Sequence, residues 1–456
     1  MNKIQKIVFL LFSLSLMMIG NKVKAQYDLG IYSLRLVPQT NLSNPAFMPN
    51  YKYHFGFPAL SSVYAGLGNS GARYNQIFTK TGDSLSLDTK SILKNIKNGN
   101  NVNFRIANQW LNAGMRWRKF YFSLSASDII DVNSFYSKSI VSLAIEGNAA
   151  HVGETIDAKP LELKALHYRE YALGAAYDFN DKWNFGIKAK LLFGKTGINS
   201  EKSNLSLTTT NDYYYLNVKS DVLINTSVPG AKKDSTAVGI GEYMFYGSNF
   251  GMGLDLGATF KLNSEWNFSA SVLDLGYISY DRWLKSYSSK ADFTYKGIGF
   301  NQFDGLNEAQ SKALLQHIRD SIVDLFQINE SVNKFVVPLT AKIYLGASYQ
   351  LSEKETLGAL VRVELFKGIL RPSFTASYYR QLNSHFGVTA NYSILNRSYF
   401  NLGLGFVANF EPLQVYFVTD NLYGIAFADQ TRYANFHFGI NFIIPNNTTR
   451  RTMIKL

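Results

Sequence analysis

The sequence predicts an all-β chain that closes into a transmembrane antiparallel β-barrel of about 14 strands. An export signal opens the chain, no later apolar run reaches membrane-helix length, and apolar and polar residues alternate strictly in repeated segments of about ten residues.

The export signal comes first. Lys3 and Lys6 precede the apolar run Ile7 to Ile19, and Val23-Lys24-Ala25 before Gln26 has the small-residue pattern of a cleavage site. Residues 1–25 are therefore expected to be a cleaved signal peptide, because a retained anchor helix needs about 18 or more apolar residues. The chain contains no cysteine, which excludes a lipidated N-terminal Cys, disulfides and thiolate metal sites.

Composition agrees with a barrel. There are 29 Tyr and 33 Phe but only 10 Pro, as expected when aromatic girdles flank a lipid-facing band of strands. Formal charge is +13, and removing Lys3, Lys6, Lys22 and Lys24 with the signal leaves +9. For an exported barrel the matching anions are outer-membrane lipid and lipopolysaccharide. No Lys/Arg cluster marks a nucleic-acid module, so no nucleic acid is expected.

Alternation gives the strands. Met252, Leu254, Leu256, Ala258 and Phe260 share one face, while Gly251, Gly253, Asp255, Gly257 and Thr259 share the other. After Asn263-Ser264 the pattern resumes with Trp266, Phe268, Ala270 and Val272 outward, making a hairpin. The same grammar runs from Tyr171 to Tyr177 and, past Asn180-Asp181, from Trp183 to Leu191. It closes with Ala434, Phe436, Phe438, Ile440, Phe442 and Ile444. Strands are expected to start near positions 51, 103, 119, 166, 183, 249, 265, 339, 355, 370, 385, 399, 413 and 433.

An even count leaves both termini on one side. Turns near 118, 180, 263, 353, 382 and 411 then share that side, which is periplasmic by the rule that periplasmic turns are short. Long extracellular loops are expected at about 128–165, 196–248 and 278–338. The second holds a hairpin, Ser203 to Thr210 and Tyr213 to Asp221. The third holds an amphipathic helix over 307–328 with Leu314, Ile318, Ile322 and Leu325 at helical spacing. The barrel is expected over 51–445, and 446–456 is a basic tail.

Three stretches carry a resemblance. Asn44-Pro45-Ala46-Phe47, Ser271-Val272-Leu273-Asp274-Leu275-Gly276 with Ile278, and Val415 to Asn421 resemble an uncharacterised, domain-of-unknown-function family of outer-membrane barrels. That family looks related to FadL-like transporters and PorV-like barrels. The resemblance implies a FadL-like fold with an N-terminal plug over 26–50, its motif being Asn44, Pro45 and Ala46. It transfers no ligand-binding residue.

A ring this wide cannot be filled by its own inward side chains, and inward glycines such as Gly186 and Gly257 admit another backbone. The candidate lumen-lining residues are Glu170, Lys188, Lys190, Asp255, Lys342, Arg362, Glu364 and His437, which either line a polar path or pair across strands. The histidines at 54, 151, 167, 317, 385 and 437 lack metal-ligand spacing. No Ser, His and Asp set is placed for nucleophilic catalysis. No cofactor, metal or catalytic residue is therefore expected.

Two functions fit: a channel for passive uptake of small hydrophobic molecules, and a noncatalytic partner barrel that docks another outer-membrane or export protein. Leu256→Arg, on the lipid face, is expected to cost about 2–4 kcal/mol near the midplane, whereas Asp255→Asn leaves assembly nearly unchanged. Folded yield after refolding into detergent measures both.

Overall fold

Strand ladders form wherever the alternation is bounded by a residue that reverses the chain, and one turn device recurs. Asn180, Asn263 and Asn383 each accept, through the side-chain oxygen, the backbone N–H groups two and three residues on, at 2.7–3.0 Å. The third residue on is Trp183, Trp266 or Phe386, so each turn also places an aromatic ring at the foot of the next strand. The computed structural model describes residues 29–445 apart from 83, 230–238, 240, 242, 244–246, 297–309, 311, 313–315, 317–319, 322 and 396.

Fourteen wall strands result. The first, β1, is interrupted and comprises Tyr51–Gly56 and Ser62–Asn69; β2 is Asn100–Trp117, β3 Phe120–Tyr136, β4 Glu162–Asp178 and β5 Trp183–Thr209. Next come β6 Phe250–Lys261, β7 Trp266–Tyr280, β8 Ala341–Ser352, β9 Glu355–Phe366 and β10 Ile369–Gln381. The wall ends with β11 Phe386–Leu395, β12 Ser398–Phe410, β13 Leu413–Thr419 and β14 Tyr433–Pro445. Consecutive strands pair antiparallel, and both parts of β1 pair with β2 and with β14, which closes the ring. Among the described residues no helix is long and apolar enough to cross a membrane.

Apolar side chains dominate the outer face. Leu173, Ile187, Leu256, Leu345 and Leu404 stand exposed there, as their alternation requires. At the short-turn end aromatic rings meet across neighbouring strands: Phe120 with Tyr177 at 4.6 Å, Trp183 with Phe260 at 4.5 Å and Trp266 with Tyr349 at 4.9 Å. This is the girdle that amphipathic rings form at a membrane interface.

Two departures from strict alternation have local causes. Within β1, Pro58 has no N–H to give to a ladder, and the chain steps outward with Phe57 and Leu60 exposed. The break is stitched to both neighbours: Phe57 N–H donates to Ile440 O at 2.8 Å, Ala59 N–H to Trp110 O at 3.2 Å, and Ile440 N–H to Leu60 O at 2.8 Å. In β7 the register shifts between Leu254 and Leu256 of its partner, and Asp274 adopts φ +59°. This bulge reverses the phase, so Leu273 is buried while Leu275 and Tyr277 face out.

Ladders also run further than the sequence predicts. The strands β3, β4 and β5 continue to Tyr136, from Glu162 and to Thr209, inside the expected loops 128–165 and 196–248. Phe335–Pro338 pairs with the end of β7 inside the expected loop 278–338. Backbone pairing does not stop where the apolar band stops, since polar alternating segments hold a ladder equally well in water. The expected hairpin forms as the top of β5 paired with Leu216–Ser227, which in turn pairs with Leu284–Tyr295. Two connections on the long-loop side are nonetheless tight, at Lys367-Gly368 and around Arg397. Of the helix expected over 307–328, Leu314, Ile318 and Ile322 lie outside the described residues, while 323–325 are helical. The expected signal peptide, 1–25, the first three residues of the expected plug, 26–28, and the basic tail, 446–456, also lie outside the described residues.

Closure between first and last strands has a direct test. Val63 and Phe438 sit opposite each other in the β1–β14 ladder, a spacing of about 4.5–5.5 Å between Cα atoms that a disulfide tolerates. In a chain without native cysteine, Val63→Cys with Phe438→Cys is expected to cross-link on mild oxidation, read as a mobility shift in denaturing gels. Val63→Cys with Ile444→Cys is expected to remain reduced.

Candidate functional site

Most of residues 29–50 are buried, bonded to inward side chains of the wall. Two short 3-10 helices, Gly30–Ser33 and Pro38–Leu42, give this segment its turns, and Pro38 stands at a helix start where its missing N–H costs nothing. Its fastenings reach opposite walls. Leu29 and Gly30 N–H groups donate to the Asp420 carboxylate at 3.1 and 2.7 Å, and Tyr32 bonds Ser269 across the ring. Gln39 donates to Ser61 O at 2.8 Å and to Asn441 Oδ1 at 2.7 Å.

Asn44, Pro45 and Ala46 fit against glycine. The Asn44 amide donates to Ala258 O at 3.3 Å and Ala270 O at 3.2 Å, and Ser271 Oγ donates to Ser43 O at 2.6 Å. A Cβ on Gly257 would lie 2.9 Å from Pro45 Cδ and 3.0 Å from Ala46 N, and one on Gly186 would meet the Pro45 backbone. Only glycine lets the two backbones approach this closely.

Beside this segment lies a layer of buried charge. Lys190 Nζ is 2.6 Å from Asp274, 2.9 Å from Asp255 and 3.5 Å from Glu170, and Lys342 also pairs with Asp274. Of the sequence candidates, Glu170, Lys190, Asp255 and Lys342 therefore meet in one cluster. Arg362 and Glu364 form a second pair at 2.6 Å, with Arg371 3.6 Å from the same carboxyl group. Lys188 instead donates to Asn41 O of the inner segment at 3.0 Å. His437 is separate, bonded to Ser62 Oγ at 2.7 Å and Tyr416 Oη at 3.2 Å.

Asp274, which joins two lysines, is absent from the sequence candidates because strict alternation from Val272 puts it in lipid. The bulge turns it inward, where its N–H also donates to Asp255 Oδ1 at 2.8 Å. An isolated aspartate on an otherwise apolar face was the signal. Arg105 and Asp131, paired at 2.7 Å, and Arg371 were also missed.

Above the charges, Tyr168, Leu192, Ile278, Tyr280 and Phe335 make an apolar layer toward the long-loop mouth. A cavity of about 110 Å³ remains between, bordered by Leu42, Ala107, Ile129 and Leu273 as well as by Lys190, Asp274, Arg362 and Glu364. It has room for a few waters. Each carboxylate here is a counterion to lysine or arginine, so the layer ties wall strands together. Among the described residues no group of three or more His, Asp and Glu is arranged to hold a metal.

The network changes the expectation for Asp255. Because its carboxylate holds both Lys190 and the bulge, Asp255→Asn is expected to lower stability measurably. Lys190→Met, which takes the lysine from Glu170 and Asp255 while Asp274 keeps Lys342, is expected to cost about 3–5 kcal/mol, and Lys190→Arg much less. Denaturant unfolding in detergent, followed by tryptophan fluorescence, measures the difference.

No curated protein matches. The Ralstonia pickettii toluene transporter TbuX is 10% identical over 90% of this chain and 93% of its own, with a TM-score of 0.40. The Pseudomonas putida toluene transporter TodX is 11% identical over 92% and 98%, with a TM-score of 0.39. A Pseudomonas aeruginosa FadL homologue is 10% identical over 89% and 93%, with a TM-score of 0.38. A family described as being of unknown function, DUF5723, matches residues 45–420, and the chain belongs to that family.

Proposed function

We propose that the protein is a noncatalytic outer-membrane barrel closed at rest by its own N-terminal plug, and that it admits small, largely apolar molecules when the plug shifts. One observation carries this reading. The ring is hydrogen-bonded to itself all round, strand to strand, and the inner segment adds no rung to any ladder. Residues 29–50 are held by side-chain hydrogen bonds and close packing, so the wall stays closed if they move. A vacated ring of 14 strands is too wide to be filled by its own side chains.

The cavity above the plug supports a partly apolar cargo, since Leu42, Ala107, Ile129 and Leu273 border it beside the paired charges. Orientation follows from the loops: the short turns and both ends of the described barrel lie on the periplasmic side. The sites expected to line the path are Glu170, Lys188, Lys190, Asp255, Lys342, Arg362, Glu364 and, further round, His437.

A second reading has its own support. The sheet formed by the top of β5, Leu216–Ser227 and Leu284–Tyr295 stands beyond the wall, and Tyr213 is 80% exposed and Val332 76% exposed beside it. Such a surface suits a barrel that docks an outer-membrane or secreted protein.

Planar-bilayer recording separates the two. The wild-type barrel is expected to be electrically silent, and deletion of residues 26–50 to open steady conductance. Ser43→Cys with Ser271→Cys, oxidised, is expected to abolish uptake of a small apolar tracer into liposomes, with recovery on reduction. Uptake indifferent to that staple, or a silent deletion variant, would remove the channel reading and leave the docking one.

A further inference from the structure

At the long-loop mouth, away from the lumen, cations converge from several connections. Arg73 precedes the short helix Tyr74–Ile77, Lys94 and Lys97 lie at and after the end of the helix Thr89–Asn95, and Lys138 opens the helix Lys138–Glu146. Arg397 sits in the tight turn between β11 and β12, and Arg432 immediately precedes β14. Lys94, Lys97, Lys138, Arg397 and Arg432 border a single recess of about 570 Å³ with the Tyr399 ring. That volume lies within the roughly 300–1,000 Å³ typical of ligand pockets.

Among the described residues no carboxylate balances them: none of these six cations has an acidic group within 4.0 Å. Elsewhere on the same side lysines are paired: Lys202 with Asp221, Lys219 with Asp292, Lys285 with Glu330 and Lys367 with Glu162. The nearby Asp88 is engaged in capping its own helix at Ser91.

The two inner guanidiniums are held in place by neutral oxygens. Arg432 donates through Nε to Gly71 O at 3.0 Å and through Nη1 to Arg397 O at 3.4 Å; Arg397 donates to Asn100 Oδ1 at 3.4 Å and Gly99 O at 3.3 Å. Each guanidinium has five N–H donors, so several stay available toward the recess. The Arg73 Nε is buried without a hydrogen-bond partner. Burial, then the charges of Arg73 and Arg397, push the Arg432 guanidinium below its ordinary value. Half-buried cations crowded together without a counterion are unfavourable, and an anion relieves both the repulsion and the open donors.

We propose that this recess is a binding site for a phosphoryl-bearing anion, gripped by Arg397 and Arg432 from within and by Lys94, Lys97 and Lys138 at its rim. Phosphate suits forked guanidinium donors backed by mobile ammonium groups. Two sources share this chemistry, a lipid headgroup of the outer leaflet and a soluble phosphorylated compound. The lipid source has a structural argument in its favour. Tyr399, which borders the recess, and its neighbour Phe400 are exposed at 65% and 69% at the start of β12, as rings at a membrane interface are. The site is independent of whether the lumen opens.

The test uses the purified full-length barrel. Isothermal titration with inorganic pyrophosphate reports the soluble source. Native mass spectrometry after extraction from bilayers containing either bisphosphorylated or dephosphorylated lipid A reports the lipid source. Saturable pyrophosphate binding, or retention of only the phosphorylated lipid, supports the site and names its source. Arg397→Gln with Arg432→Gln is expected to weaken either signal by about a hundredfold, one decade for the charge-assisted bond lost at each arginine. Lys219→Gln, a charge change outside the recess, leaves it unchanged. Heat-modified gel mobility confirms that each variant is a folded barrel, and Lys94→Gln with Lys97→Gln, both exposed, repeats the test if the arginine variant is not. No binding of either probe, or binding equal in all folded variants, overturns the proposal.

Discussion

The constraint on which this structure depends is that a backbone crossing hydrocarbon must satisfy every N–H and C=O without water. Closure of β1 against β14 meets it, and the interrupted middle of β1 shows how strictly. Pro58 removes a donor from the wall, yet Phe57, Ala59 and Leu60 still exchange hydrogen bonds with β2 and β14 across the gap. The outward step carries Phe and Leu, side chains lipid accepts.

Closure settles the outside and creates the problem of the inside. A ring this wide encloses space, and what fills it has to tolerate strands whose inward residues are glycine, serine, asparagine and charge. The molecule solves this in two ways. Where a backbone passes close to the wall, glycine faces it, as at Gly186 and Gly257. Where no backbone passes, lysine and arginine from one strand reach carboxylates on another, and Lys190 alone ties Glu170 of β4, Asp255 of β6 and Asp274 of β7. Removing a buried charge from its partners is costly, so this layer holds the neighbouring strands in fixed register.

The wall was legible because its physics is periodic: one face meets lipid, the next meets the lumen, and the sequence from Gly251 to Lys261 shows this without outside knowledge. The inward position of Lys190, Asp255 and Glu364 came from the same rule. What periodicity hides is any place where the period breaks. Asp274 falls on the wrong face until a bulge turns it, and β1 reads as one continuous strand until Pro58 is considered as a missing donor. The strand extensions above the band were hidden for the opposite reason, since a ladder in water needs no apolar face to mark it. The basic recess escaped notice because its residues, from Arg73 to Arg432, are far apart in the chain and only the ring's closure brings the first and last loops together.

Gln39 links the inner segment to the weakest point of the wall. Its amide donates to Ser61 O, the carbonyl at which β1 resumes after the interruption, and to Asn441 on β14, which donates back to Gln39. Tyr416 Oη donates to the same Ser61 carbonyl at 3.2 Å, so the carbonyl keeps a partner if Gln39 withdraws. The step in β1 is thus reinforced by the segment without depending on it. The segment meets the wall at the Ser61, Ala258 and Ala270 carbonyls through side-chain amides, while every rung of the ring is made without it.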